Sequence, residues 1–195
     1  VTLRIVFKPM QHSELDTAQQ ILSATEKLMA EQGLHTLSMQ KIAQAAGISV
    51  GTIYIYFKNK DELLSNVAKY LFFRIDEQLI KHHDSNRSLF EQYRQMWLNF
   101  WGFFNQNPYV LKNFYQYTSL PGFSELVKQC RERQNVWAKL VKQGQKQRLL
   151  CDLPQDILFS LSLESAVKLA FRQTHYDEIY VIETVIKKTW QAICI

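Results

Sequence analysis

Two short apolar patterns, each opened by a serine and parted by a glycine, constrain this chain more than any other feature. They lie in "TLSMQKIAQAAGISVGTIYIYFKNKDELL", residues 36–64. Ser38 stands at an N-cap position ahead of Ile42, Ala43 and Ala46, which recur at helical spacing. Gly47 ends that helix, Ile48 tucks inward, and Ser49 caps another short helix whose Ile53 and Phe57 share one face. Asn59-Lys60-Asp61-Glu62 is a capping-box signature for a longer helix, with Leu63, Leu64, Val67 and Leu71 as its buried line. Two short helices joined by a tight turn, the second opening on small polar residues, make a helix-turn-helix pattern.

The rest of the chain keeps the helical period. Upstream, Ile21, Leu22, Thr25, Leu28 and Met29 predict a helix from Asp16, with Asp16 and Gln19 as its capping pair and Gly33 at its exit. Downstream, the polar break "DSNRS" after His82-His83 leads into a long aromatic helix over about 87–106. A short helix follows Pro108, and a basic one covers about 122–147. Two apolar helices close the chain, about 154–173, with Pro154 in its first turn, and about 178–193, with "THYDE" between them. Six glycines, four prolines and no alternating or repeated segment speak against a turn-rich β protein. The fold class is all-α.

Composition narrows the setting. A net charge of +5 suits an anionic partner without demanding one. Cys130, Cys151 and Cys194 are odd in number and lack a C-x-x-C spacing, which argues against a disulfide framework or a zinc site and for a reducing, cytoplasmic location. No apolar run reaches the roughly 18 residues that a membrane span needs, so no membrane partner is expected. The opening "VTLRIVFKPM" is too short for a secretory core and reads as a flexible arm.

Residues 38–60 carry the chemistry of a duplex reader. A recognition helix fits the major groove and presents its first side chains to base edges. Gly51 permits close approach, Ser49 and Thr52 can hydrogen-bond phosphates or bases, and Tyr54 and Tyr56 carry hydroxyls on rigid rings. No acid lies between Glu31 and Asp61, while Lys41, Lys58 and Lys60 fall inside that gap. A surface that must neutralise phosphates tolerates carboxylates poorly. The plainer reading is a solvated face of a small bundle.

The same run resembles the DNA-binding signature of the TetR family of bacterial regulators. The likeness rests on Ile42-Ala43, the turn from Ala46 to Ser49, G-T-I-Y at Gly51 to Tyr54 and Y-F-K-N-K at Tyr56 to Lys60. With "ILSATEKLMAEQGLHTLS" upstream it covers about residues 17–68. The resemblance implies an arm over 1–13, a three-helix DNA-binding domain over 14–60 and a larger helical ligand-binding and dimerisation domain over 61–195. It implies DNA contacts at Ser38, Met39, Ser49, Val50, Gly51, Thr52, Tyr54, Tyr56 and Lys60. Two residues depart from the pattern. Ile55 stands where relatives often have a polar or aromatic residue, leaving contact with a thymine methyl as its option, and Met39 replaces a frequent hydroxyl residue.

Residues 90–123 hold 12 of the 25 aromatic residues, enough to build either a thick core stripe or a cavity. Since the resemblance implies a pocket for a small molecule, the candidate ligand residues are Tyr93, Trp97, Phe100, Trp101, Phe104, Phe114, Tyr117, Trp137 and Phe171. The expected ligand is small and hydrophobic, aromatic or planar, with cation–π contact available to a cationic one. The last two helices carry Ile157, Leu158, Leu161, Ile182, Ile186 and Ile193, which could serve packing within the chain alone; the resemblance implies that they form a homodimer interface.

Other features carry less. His82 and His83 point to different sides of a helix, and no histidine, acid and cysteine stand at metal spacing. The stretch from Lys128 to Arg148, with Arg131, Arg133, Lys139, Lys142 and Lys146, reads as a solvated face. No Ser/His/Asp order, Gly-rich phosphate loop or paired carboxylates support catalysis, and nothing calls for a cofactor. The expected function is a DNA-binding transcriptional repressor released from its double-stranded operator by a small ligand. A ligand-responsive activator, or a small-molecule-binding protein with a vestigial helix-turn-helix, is the alternative.

Overall fold

Side-chain caps open several helices of a computed structural model, which describes residues 12–132, 135–172 and 179–195. The Ser38 hydroxyl accepts the N–H of Lys41 at 3.2 Å, Ser49 that of Thr52 at 3.0 Å and Ser88 that of Glu91 at 3.3 Å. Asn59 and Asn135 accept from Glu62 and Ala138 at 2.8 and 2.9 Å. Each bond satisfies one of the donors that a helix start leaves without an internal partner.

The chain runs through α1 (His12–Gln32), a 3₁₀ turn (Leu34–Thr36), α2 (Met39–Ala45), α3 (Val50–Tyr56) and α4 (Lys60–Ile80). Next come α5 (Leu89–Gln106), α6 (Pro108–Lys112), a second 3₁₀ turn (Gln116–Ser119) and α7 (Phe123–Glu132). It ends with α8 (Val136–Lys146), α9 (Gln155–Leu161), α10 (Glu164–Phe171) and α11 (Ile179–Gln191). Among the described residues there is no strand, only an isolated antiparallel bridge between Leu150 and Cys194. The all-α expectation holds.

These helices form two compact units. The first contains the described residues up to Arg74 together with Lys112–Lys128, so it extends past residue 60 and includes the start of α4 and the turn after α6. Its core gathers Ile21, Leu22 and Met29 of α1, Ile42 of α2, Ile53 of α3 and Leu63 and Val67 of α4, all buried. Gly47 leaves α2 at φ 67°, a left-handed angle that costs a residue with a Cβ on the order of 1 kcal/mol. That bend turns the chain into α3, and Gln20 holds it from α1 by donating to the Ala46 carbonyl at 2.7 Å.

The second unit comprises Ile75–Leu111 and the described part of Gln129–Ile195. Here α5 packs against α8, α10 and α11, burying Tyr93, Met96, Trp97, Phe100 and Phe104. Behind α8, Gly144 brings the backbone so close to Leu150 that a Cβ would fall 2.6 Å from its side chain.

Three boundaries differ from the sequence reading. α1 begins by His12, so Asp16 lies inside the helix rather than at its cap. The basic stretch is two helices, α7 and α8, because Asn135 starts a new one with its own cap bond. The expected helix over 154–173 breaks at Ser162, whose backbone (φ −130°, ψ −81°) is not helical. Its hydroxyl donates to the Leu158 carbonyl at 2.5 Å, and Ser165 donates back to the Ser162 carbonyl at 2.5 Å. Serines compete for backbone groups in this way and favour interruption. Most of the expected arm, Arg133 and the whole "THYDE" separator lie outside the described residues.

Candidate nucleic-acid interface

The buried Ile53 and Phe57 set the inward side of α3, and helical spacing then dictates what faces out. Ser49, Val50, Gly51, Tyr54 and Ile55 are exposed, with Thr52 and Tyr56 half-buried at the flanks. The Ser49 and Thr52 hydroxyls sit 2.8 Å apart, so one hydroxyl proton is shared between them while Ser49 also caps the helix. On α2, Ser38 is half-buried at the cap, and Met39 is buried at 7% exposure. Whatever Met39 offers DNA therefore comes from its backbone N–H, which has no intrahelical acceptor at the first helical position.

Lysines border this surface. Lys58 is exposed and Lys60 half-buried at the start of α4. The Lys58 backbone N–H is drawn to the Glu62 carboxylate at 2.7 Å, which turns that acid into the local cap network. Lys41 reaches back to the Thr36 carbonyl at 3.1 Å and Gln32 at 3.5 Å. The nucleic-acid candidates thus lie at the start of α2, along α3 and at the start of α4, all exposed or half-buried except for the side chain of Met39.

The aromatic candidates divide. In the second unit Tyr93 is fully buried, its hydroxyl 2.7 Å from that of Thr189 and its ring 5.2 Å from Trp190. Burial pushes its phenol up to about 12, so it stays a neutral hydroxyl. Trp97 donates to Ser165 at 2.8 Å and Trp137 to the Gln155 carbonyl at 3.0 Å. Phe100 packs on Phe104 and Phe159, with Phe159 in turn against Trp137. Trp101 is half-buried and Phe171 exposed. A cleft of about 400 Å³ opens between the end of α8 and the start of α9, lined by Val141, Lys142, Gln145, Asp152, Leu153 and Gln155, and none of the aromatic candidates lines it.

Phe114 and Tyr117 belong to the first unit instead. Tyr117 donates to the Glu26 carboxylate at 2.5 Å, and burial followed by the charge of Glu26 pushes its phenol up. The other Glu26 oxygen accepts from Arg74 at 3.0 Å, while Asn113 donates to the Glu26 carbonyl at 2.6 Å. Gln116 adds bonds to the Met29 carbonyl and the Leu34 N–H. This buried network pins the turn after α6 to α1 and α4.

Comparison with known proteins decides the family. The model described as "Bacterial regulatory proteins, tetR family" matches residues 21–67, and "Tetracyclin repressor-like, C-terminal domain" matches 88–194, more than half of the chain. The chain belongs to the TetR family. An uncharacterized HTH-type transcriptional regulator of Haemophilus influenzae is 45% identical over 190 residues, covering 94% of this chain and 99% of that protein. A crystal structure of a TetR-family transcriptional regulator from the same organism has a TM-score of 0.89 at 44% identity, over 95% of this chain and 100% of the other. A TetR family protein from Vibrio parahaemolyticus follows with TM-score 0.80, 34% identity and coverage of 91% and 98%.

This TetR-family chain is a helix-turn-helix transcriptional regulator. Among its described residues no helix is long and apolar enough to cross a membrane. Ile55, which the sequence reading singled out, is 80% exposed on α3. The Glu26 network escaped that reading and had no local signal, because its partners are 48 to 91 residues away in sequence.

Proposed function

We propose that this regulator is a homodimeric repressor that docks the exposed α2–α3 surface on operator DNA and is released by a small hydrophobic ligand. The observation that carries this reading is the surface itself. It offers small, hydroxylated and aromatic side chains, has Lys58 and Lys60 at its edge, and has no carboxylate in sequence between Glu31 and Asp61. Ser49, Thr52, Tyr54 and Tyr56 supply hydroxyls for phosphates, and Gly51 lets the backbone approach.

A twofold operator calls for a twofold protein, with recognition helices about 34 Å apart in adjacent major grooves. The apolar residues left exposed on α9 and α10, Ile157, Leu161 and Phe171, support pairing through the C-terminal helices. The buried cluster of Tyr93, Trp97, Phe100, Phe104 and Trp137 supports an apolar ligand. Such a ligand acts by favouring a state whose recognition helices are wrongly spaced, and α4 is the chain segment that leads from the reader to the ligand region.

The experiment is to select duplexes from a random-sequence library with the whole protein, then screen hydrophobic compounds by thermal shift. Enriched duplexes are expected, and a compound that raises the melting temperature should dissociate them in a mobility-shift assay. A protein that enriches no duplex contradicts the DNA reading; one that binds DNA but is neither stabilised nor released by any compound contradicts the ligand reading.

A further inference from the structure

The outward side of α3 is short of hydrogen-bonding groups. Gly51 and Ile55 lie one turn apart, opposite the buried Ile53, and are flanked by Val50 and Tyr54 at 41% and 51% exposure. Of these four residues only Tyr54 carries a polar side-chain atom. Ser49 and Thr52 hold their hydroxyls 2.8 Å apart at the helix start, engaged in the cap. A single exposed isoleucine is ordinary on a protein surface, but here it is one of three exposed apolar or aromatic residues on a helix of seven. In the major groove of unmodified DNA the apolar group presented by the four bases is the thymine 5-methyl.

We propose that Ile55 is a specificity-determining residue that packs against a pyrimidine 5-methyl group, a thymine in unmodified DNA, within each half-site. The proposal rests on the reading that α3 docks in the major groove, and it names what that helix reads there. The chemistry is consistent on both sides. A β-branched side chain has few rotamers to lose, so it can present a fixed methyl surface at small entropic cost. Gly51, whose own missing Cβ would meet nothing closer than the Ser49 hydroxyl at 3.6 Å, leaves space one turn away for the groove wall. Lys58 and Lys60 are placed to hold phosphates while the apolar face meets the bases.

The test uses the whole protein and a duplex selected from a random library, resynthesised with deoxyuridine in place of thymidine at one position at a time. That change removes a methyl and nothing else. Wild-type protein should lose about fourfold in affinity per half-site at one position, the worth of one buried methyl. Ile55→Ala should bind the thymidine duplex more weakly and bind both duplexes equally, while Ile55→Val retains part of the preference. Because Ile55 is exposed, melting temperature should not move. Equal binding of thymidine and deoxyuridine duplexes by the wild type, or a preference that survives in Ile55→Ala, would overturn the proposal. Failure to enrich any duplex would overturn it together with the reading beneath it.

Discussion

Tyr54 has half of its surface open on α3, close to Ile55 and one turn behind Lys58, so its ring can span a groove edge while its hydroxyl meets a phosphate. Replacing it by alanine should weaken operator binding on the order of tenfold, the worth of one hydrogen bond to a charged group. A mobility-shift titration measures this, with circular dichroism expected to show an unchanged fold. Undiminished affinity would remove Tyr54 from the interface. At this scale much was legible from local rules. Ser38, Ser49 and Asn59 were readable as caps because the bond each makes reaches only three residues along the chain. Tyr117 was not: its partner, the buried Glu26 carboxylate, is 91 residues away, and nothing in the neighbourhood of either residue marks the pairing.

Among the elements, the short helices were easier to read than the long ones. Gly47, with its positive φ, punctuates α2 and α3 unmistakably, whereas the breaks between α7 and α8 and at Ser162 occur inside amphipathic patterns that continue across them. Ser162 is fully buried and the next residue, Leu163, is buried too, so the apolar period gives no sign that the backbone has left the helix. That break leaves Leu161 at 47% exposure on the end of α9. If α9 to α11 pair two copies, Leu161→Asp places two carboxylates in an apolar contact and should shift the protein towards monomer at micromolar concentration. Light scattering measures the mass. A Leu161→Asp variant that remains wholly dimeric would place the interface elsewhere.

For the whole molecule, charge placement matters more than net charge. A surplus of +5 spread evenly would attract any polyanion weakly, but here a 29-residue segment from Gln32 to Lys60 contains three lysines and no acid. The whole of that segment lies in one compact unit, with Glu62 folded back onto the Lys58 N–H. This follows from sequence and local caps alone, which is why the DNA-facing half of the function was legible. The ligand-facing half depends on how aromatic residues from distant helices meet. Residues such as Phe114 and Tyr117, grouped with the others by composition, belong instead to the unit that carries α2 and α3.

The most direct test is the salt dependence of affinity for a selected duplex, compared between wild type and Lys58→Ala/Lys60→Ala. Every phosphate that the variant no longer neutralises should lower the slope of log affinity against log salt by about 0.9. The account predicts weaker binding with a shallower slope in the variant. Equal affinity and an equal slope in both proteins would show that this face does not meet the phosphate backbone.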